Sequence, residues 1–177
     1  MTASGPPALL DEDLVTYDTY LKVNPPLRSL EDRDSLRQGL ARGVLDAVAT
    51  DHAPHAAEDK EQEFDQAPPG TIGLETALAV VLTELVERGL LSLTDAIDRM
   101  ARRPAAILGL DEHGGPVTPG RPANLVVFDP GAEWTVGERP FVSAARNSAF
   151  TGRRLRGRVL HTLLRGTFTV RDGEPAR

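Results

Sequence analysis

Between Lys22 and Asp51 the sequence runs extended, then helical, then extended again, and no other feature limits the fold as much. Residues 23–28, Val-Asn-Pro-Pro-Leu-Arg, read as the end of a strand entering a loop. The two prolines remove two backbone donors and push the residue before each out of the helical region. Residues 30–43 read as a helix. Ser29 can cap it, Asp32 stands where a capping box carries Glu or Gln, Leu36 and Leu40 share a face, and Gly43 is a stop. Residues 44–50, Val-Leu-Asp-Ala-Val-Ala-Thr, are short, apolar and partly β-branched, as a buried strand is. Strand, helix and strand in this order make a right-handed parallel unit. Two parallel strands do not form a stable sheet by themselves. Either further strands come from elsewhere, or the chain belongs to something larger.

The flanking segments extend this reading. Gly5-Pro6-Pro7 opposes regular structure, and Leu9 to Tyr20 holds a short helix. Residues 56–70 form a long charged loop, and loops of that size are often functional. Residues 73–88 are the clearest helix: Leu74, Leu78, Val81, Leu82 and Leu85 form one apolar stripe, with Gly89 as the stop. A further helix spans about 94–103, with Ile97 and Met100 inward, and Pro104 kinks or restarts it. After residue 113 the texture turns to Gly, Pro and short strands, at 125–128, 134–136, 158–164 and 166–170. The expected organisation is therefore α/β over 1–113 followed by a small β-rich unit over 114–177. No internal repeat is present.

Composition removes several function classes. At 177 residues the chain falls below the ~200 residues of a complete (β/α)₈ barrel. It has no cysteine, which excludes disulfides, thiolate metal sites and cysteine nucleophiles. The net charge is −6, so no global basic field exists to hold nucleic acid or an anionic membrane. Seven arginines fall within 151–177, but aromatic residues for base stacking are only 5% of the chain, so the arginines read as a solvated strand face. No apolar run approaches the ~18 residues of a membrane span, and no secretory signal opens the chain. A soluble cytoplasmic protein is the expectation, with no nucleic-acid or membrane partner.

The strongest chemical signal is Thr-Asp-His-Ala-Pro-His at 50–55. Asp51 directly follows a buried strand, and residues just past the C-termini of parallel strands line active sites. A carboxylate there can bind a metal or act as a general base. It can equally cap the following turn, with His52 and His55 as ordinary loop residues. One Asp and two His fall short of the three or four ligands of a zinc site. Asn24, at a strand end, can offer a donor and an acceptor to a polar ligand, or satisfy its own backbone. Gly70 and Gly73 allow close backbone approach at a helix start. His113 and His161 lie far from any cluster.

Taken together, Lys-Val-Asn-Pro-Pro-Leu-Arg (22–28), Val-Ala-Thr-Asp-His-Ala-Pro-His (48–55) and Ala-Pro-Pro-Gly-Thr-Ile-Gly-Leu-Glu-Thr (67–76) resemble the C-terminal part of type I dihydroorotases, members of the amidohydrolase superfamily. Gly-Arg-Pro-Ala-Asn-Leu-Val-Val-Phe-Asp-Pro (120–130) and the stretch from Arg146 to Val159 resemble the same family's C-terminal end. The resemblance covers about residues 9–173. It implies part of an amidohydrolase (β/α)₈ TIM barrel, holding roughly its last two strands, with a small β-sandwich appendage. It implies reversible hydrolysis of L-dihydroorotate to N-carbamoyl-L-aspartate in pyrimidine biosynthesis, with zinc as cofactor. Residue by residue, Asp51 matches the metal-binding aspartate that shuttles a proton between water and the leaving nitrogen. Asn24 and His55 match substrate-binding residues, and Pro69-Gly70 matches the position whose backbone touches the ring.

The family's remaining metal ligands have no counterpart here: no histidine precedes His52, and no His-x-His occurs. The first eight residues do not resemble the family. The expectation is a C-terminal portion of a dihydroorotase that binds zinc weakly, does not turn over dihydroorotate alone, and exposes apolar faces to a partner or to its own copies. Two other readings stay open. One is a related cyclic amidohydrolase such as a dihydropyrimidinase or allantoinase. The other is a non-catalytic module that binds aspartate transcarbamoylase.

Overall fold

In the computed structural model, residues 2–3 and 9–176 are described. Gly5-Pro6-Pro7 lies outside the described residues. Strand β1 (Thr2–Ala3) pairs in parallel with β2 (Ala47–Val48), Thr2 opposite Ala47 and Ala3 opposite Val48. Residues 11–16 and 19–21 form two 3₁₀ turns where a short helix is expected.

The Val23–Arg28 segment does not join a sheet. Pro25 and Pro26 have no N–H to donate, so the segment cannot complete a ladder. It is held from outside instead: Gly70 N donates to Lys22 O at 2.8 Å. Helix α1 (Leu30–Ala41) begins where its cap predicts, with Ser29 Oγ accepting from Asp32 N at 3.2 Å. Its exit consumes the start of the expected strand. Val44 N and Leu45 N both bond Gly39 O, which leaves only Ala47–Val48 for β2.

A single turn, α2 (Ala57–Lys60), interrupts the charged loop. Helix α3 (Ala77–Val81) starts later than its apolar stripe suggests and continues as a widened π turn over Leu82–Val86. Leu74, at the head of the stripe, precedes the helix and is exposed. Helix α4 (Leu93–Ile97) is capped by Ser92 and runs through a second π turn (Asp98–Arg102) into α5 (Arg103–Leu108). The helical run continues through Pro104, which stands in the first turn of α5. The widened turn ahead of it changes the bonding register where the proline lacks its donor.

The C-terminal part is a four-stranded antiparallel sheet in the order β3 (Leu125–Thr135), β4 (Arg154–Leu164), β5 (Thr167–Arg171), β6 (Glu174–Pro175). The two strands expected at 125–128 and 134–136 are one long strand. Its register slips between Asp129 and Glu133, at Pro130-Gly131, which a bulge accommodates.

Two apolar clusters meet at α3. Ala79 and Val80 pack with Leu9, Leu27, Val136, Phe150 and Leu155, which ties the sheet to the helical part. Val81, the next residue, and Leu85 of the following π turn pack with Leu40, Leu45, Leu91 and Ala96. Outside these clusters, Leu30, Leu36 and Val44 around α1 stay exposed. Among the described residues, no helix is long and apolar enough to cross a membrane.

Candidate active site

Asn24, Asp51, Pro69 and Gly70 line one groove of about 170 Å³, with Val23, Thr50 and Phe150 among its other walls. Three chain segments converge there: the proline-rich turn after Val23, the exit from β2, and the return of the 56–70 loop. Asp51 and Asn24 are exposed to the groove's solvent. Asp51 is the carboxylate among the lining residues, and Arg28 and Arg33 lie in the same wall.

The segment after Asp51 runs beside the returning loop. His52 bridges Thr71 in parallel, and Ala53 N donates to Thr71 O at 2.9 Å. His52 turns away from metal chemistry. Its Nδ1 accepts from Gly73 N at 3.1 Å and Leu74 N at 3.4 Å, so the ring proton sits on Nε2 and the imidazole caps the turn that leads to α3. His55 is not among the lining residues. Its Nε2 faces Pro69 O at 3.1 Å, which places the ring against the Pro69–Gly70 backbone.

Asn147, 1% exposed, ties these segments together. Its Nδ2 donates to Ala53 O at 2.9 Å and Gly70 O at 3.2 Å, and its Oδ1 accepts from His55 N at 3.1 Å. Its own carbonyl accepts from Ile72 N at 3.0 Å and from Thr71 Oγ1 at 3.1 Å. Two lysines hold the loop from the other side. Lys60 Nζ donates to Pro68 O at 2.9 Å and Gly70 O at 3.3 Å. Lys22 Nζ donates to Phe64 O at 2.6 Å and Asp65 O at 3.1 Å, beneath the Phe64 ring. Burial pushes the Lys60 ammonium below the usual lysine range, Lys22 pushes it further, and Asp18 opposes both.

Neither Asn147 nor Lys60 was expected from sequence. Asn147 lies in a stretch of mixed composition with no periodicity. Lys60 stands among Glu58, Asp59 and Glu61, where a lysine reads as solvated. The signal for Asn147 is that it falls in the Arg146–Val159 stretch that resembles the family, and nothing comparable marks Lys60.

Chemically, the groove offers one carboxylate, one carboxamide and a wall that includes Pro69 and Gly70. It does not offer a metal centre by itself. Among the described residues, no three His, Cys, Asp or Glu side chains come together as a metal site requires. Asp51 is the one carboxylate among the groove's lining residues.

Comparison with known proteins gives a consistent picture. A model of the amidohydrolase family matches residues 15–169. The dihydroorotase of Mycobacterium tuberculosis H37Rv is 48% identical over 164 residues, covering 93% of this chain and 38% of that protein. The dihydroorotase of Streptomyces coelicolor is 48% identical over 166 residues, covering 94% and 39%. The chain thus spans well under half the length of these curated relatives. Among solved structures, an L-hydantoinase (dihydropyrimidinase) from Arthrobacter aurescens superposes with a TM-score of 0.89 at 31% identity, covering 98% of this chain and 40% of that one. A D-hydantoinase from Bacillus sp. AR9 gives 0.83 at 26% identity, with 99% and 40% covered.

Proposed function

The chain belongs to the amidohydrolase family, and on that premise we propose that it is the C-terminal portion of a dihydroorotase, interconverting L-dihydroorotate and N-carbamoyl-L-aspartate. The observation that carries this reading is the shared groove of Asn24, Asp51, Pro69 and Gly70. On this reading α1–α5 are the outer layer of the last part of a (β/α)₈ barrel, residues 1–113, and β3–β6 belong to a small β-sandwich, residues 114–177.

In the hydrolytic direction a C–O bond forms at the cyclic amide carbonyl and the ring C–N bond breaks. Water must lose a proton, and the leaving nitrogen must gain one. Asp51 performs both transfers in succession, taking the proton from water and returning it to nitrogen. Asn24 supplies a donor and an acceptor that hold the ring's polar edge. Pro69 O faces His55 with one lone pair and offers the other to a ring N–H. Holding the ring in this way supplies part of the rate by orientation alone. Zinc, implied by the resemblance, would take Asp51 as its ligand from this chain. Its other ligands would lie outside the chain, so the 177 residues alone would not turn over substrate.

The second reading is a hydantoinase, and the fold likeness to the Arthrobacter aurescens enzyme favours it. The test supplies the missing length in trans, as the upstream segment of the Mycobacterium tuberculosis dihydroorotase, and assays dihydroorotate and hydantoin separately. Dihydroorotate hydrolysis should appear only in the reconstituted pair and fall by about 100-fold or more in Asp51→Asn. Preference for hydantoin, or turnover by the isolated chain, would overturn the proposal.

A further inference from the structure

Lys60 is 1% exposed, and no carboxylate among the described residues pairs with it. A buried ammonium is tolerated only where acceptors replace its water. Here the acceptors are backbone carbonyls. Pro68 O and Gly70 O both turn toward Nζ, while the carbonyl between them, Pro69 O, turns to His55 Nε2. Pro68 and Pro69 have no N–H, and Gly70 N is spent on Lys22 O. Every polar backbone group of the tripeptide is therefore committed. Thr19 Oγ1 donates in turn to Lys60 O, which holds the lysine's own backbone. A methionine could fill the same space, but it has no N–H to donate to the two carbonyls.

We propose that Lys60 is a positioning residue: its ammonium gathers the Pro68 and Gly70 carbonyls and so fixes the Pro69–Gly70 backbone as a rigid wall of the groove. Lys22 secures the outer half of the same loop through Phe64 O and Asp65 O. Lys60 touches no reacting atom and acts through the backbone it holds. That this wall faces a substrate ring rests on the proposed function, but the clamp itself does not.

Two measurements on the 177-residue chain test the clamp. In ¹⁵N spectra the Lys60 ammonium should give a slowly exchanging signal coupled across hydrogen bonds to carbonyl carbons of Pro68 and Gly70. A Lys60 signal exchanging as fast as those of surface lysines overturns the proposal, whatever the variants do. Amide exchange then compares the Lys60→Met and Lys60→Arg variants. Gly70 and Ile72 amides should exchange about tenfold faster or more in Lys60→Met, while Val127 and Arg158 in the sheet stay protected. Lys60→Arg, which keeps the charge, should recover most of the protection. Unchanged Gly70 exchange in Lys60→Met, or an equal loss in both variants, overturns the clamp. In the reconstituted pair Lys60→Met should raise KM for dihydroorotate more than it lowers kcat. A wild-type pair without dihydroorotase activity would sink the functional reading and leave the clamp measurements intact.

Discussion

Gly70 is packed against the His55 ring so closely that a Cβ at Gly70 would lie 2.7 Å from His55 Nε2. The same atom would lie 2.8 Å from Ala53 Cβ, and Gly70 sits at φ +147°, where a side chain is strained. Gly70→Ala must therefore displace His55 or bend the loop. The expected cost is about 1–3 kcal/mol, read as a lower urea midpoint with unchanged slope. The His55 ring resonances should shift in the same variant. A variant as stable as the parent with an unmoved His55 ring would show that the contact is not tight.

Asn147 joins three segments of the site through one carboxamide that is almost fully buried. Asn147→Ala leaves His55 N without its acceptor and Ala53 O without its donor. Buried groups left unpaired cost more than the bonds they lose, so a destabilisation of about 2–4 kcal/mol is expected. Asn147→Asp should be worse than its size suggests, because a carboxylate oxygen would face the Ala53 and Gly70 carbonyls. Equilibrium unfolding of both variants checks the order.

These two residues also show where sequence reading stops. The helices at 30–41 and 93–108 and the hairpin at the C-terminus follow from caps, apolar spacing and turn residues, all of which are local. The resemblance, and no local spacing, brings Asp51 and Asn24 together: one follows a short apolar strand and the other stands just before Pro25. Pro25 and Pro26 mark the turn but deny it the strand pairing that the neighbouring Val23 suggests. Asn147 gains its role from partners 77 to 94 residues away, which no local window contains. Lys60 bonds Pro68 and Gly70 within its own loop, at a spacing that no helix or strand period marks. The π turn before Pro104 is likewise invisible to a 3.6-residue pattern, since its bonding register is wider than that period.

Acid should weaken the helical part through Asp98. The Arg103 guanidinium, bonded at 2.8 Å, holds this carboxyl below the usual carboxylate range, against the opposing effect of burial, and Arg102 adds to the lowering. A carboxylate whose folded value lies below its unfolded one contributes stability that is present above about pH 4 and fades as pH falls through the folded value. Asp98→Asn should cost about 1–2 kcal/mol near pH 6. The gap between parent and variant should narrow as the pH drops below that range. Thermal unfolding at a series of pH values gives the comparison, and a gap that stays constant into acid would rule out Asp98 as the titrating group.

The docking of the sheet on α3 depends on Gly157. It sits at φ +103°, and a Cβ there would come within 3.5 Å of Leu82 Cγ and still closer to Leu82 Cδ1. Gly157 O also accepts from Trp134 Nε1 at 3.0 Å, so one residue meets the helix with its Cα and the indole with its carbonyl. Adding a methyl pushes the β4 backbone off Leu82 and pulls on the indole bond at once. Overpacking of this kind costs about 1–3 kcal/mol, with the unfavourable φ adding to it. Trp134 is the only tryptophan in the chain, so its emission reports this junction alone. Gly157→Ala should shift that emission to the red and lower the unfolding midpoint. Pairing it with Leu82→Ala should restore part of the emission, because the smaller side chain frees the space that the new methyl needs. If the double variant emits further to the red than Gly157→Ala, the clash with Leu82 is not what holds glycine at this position.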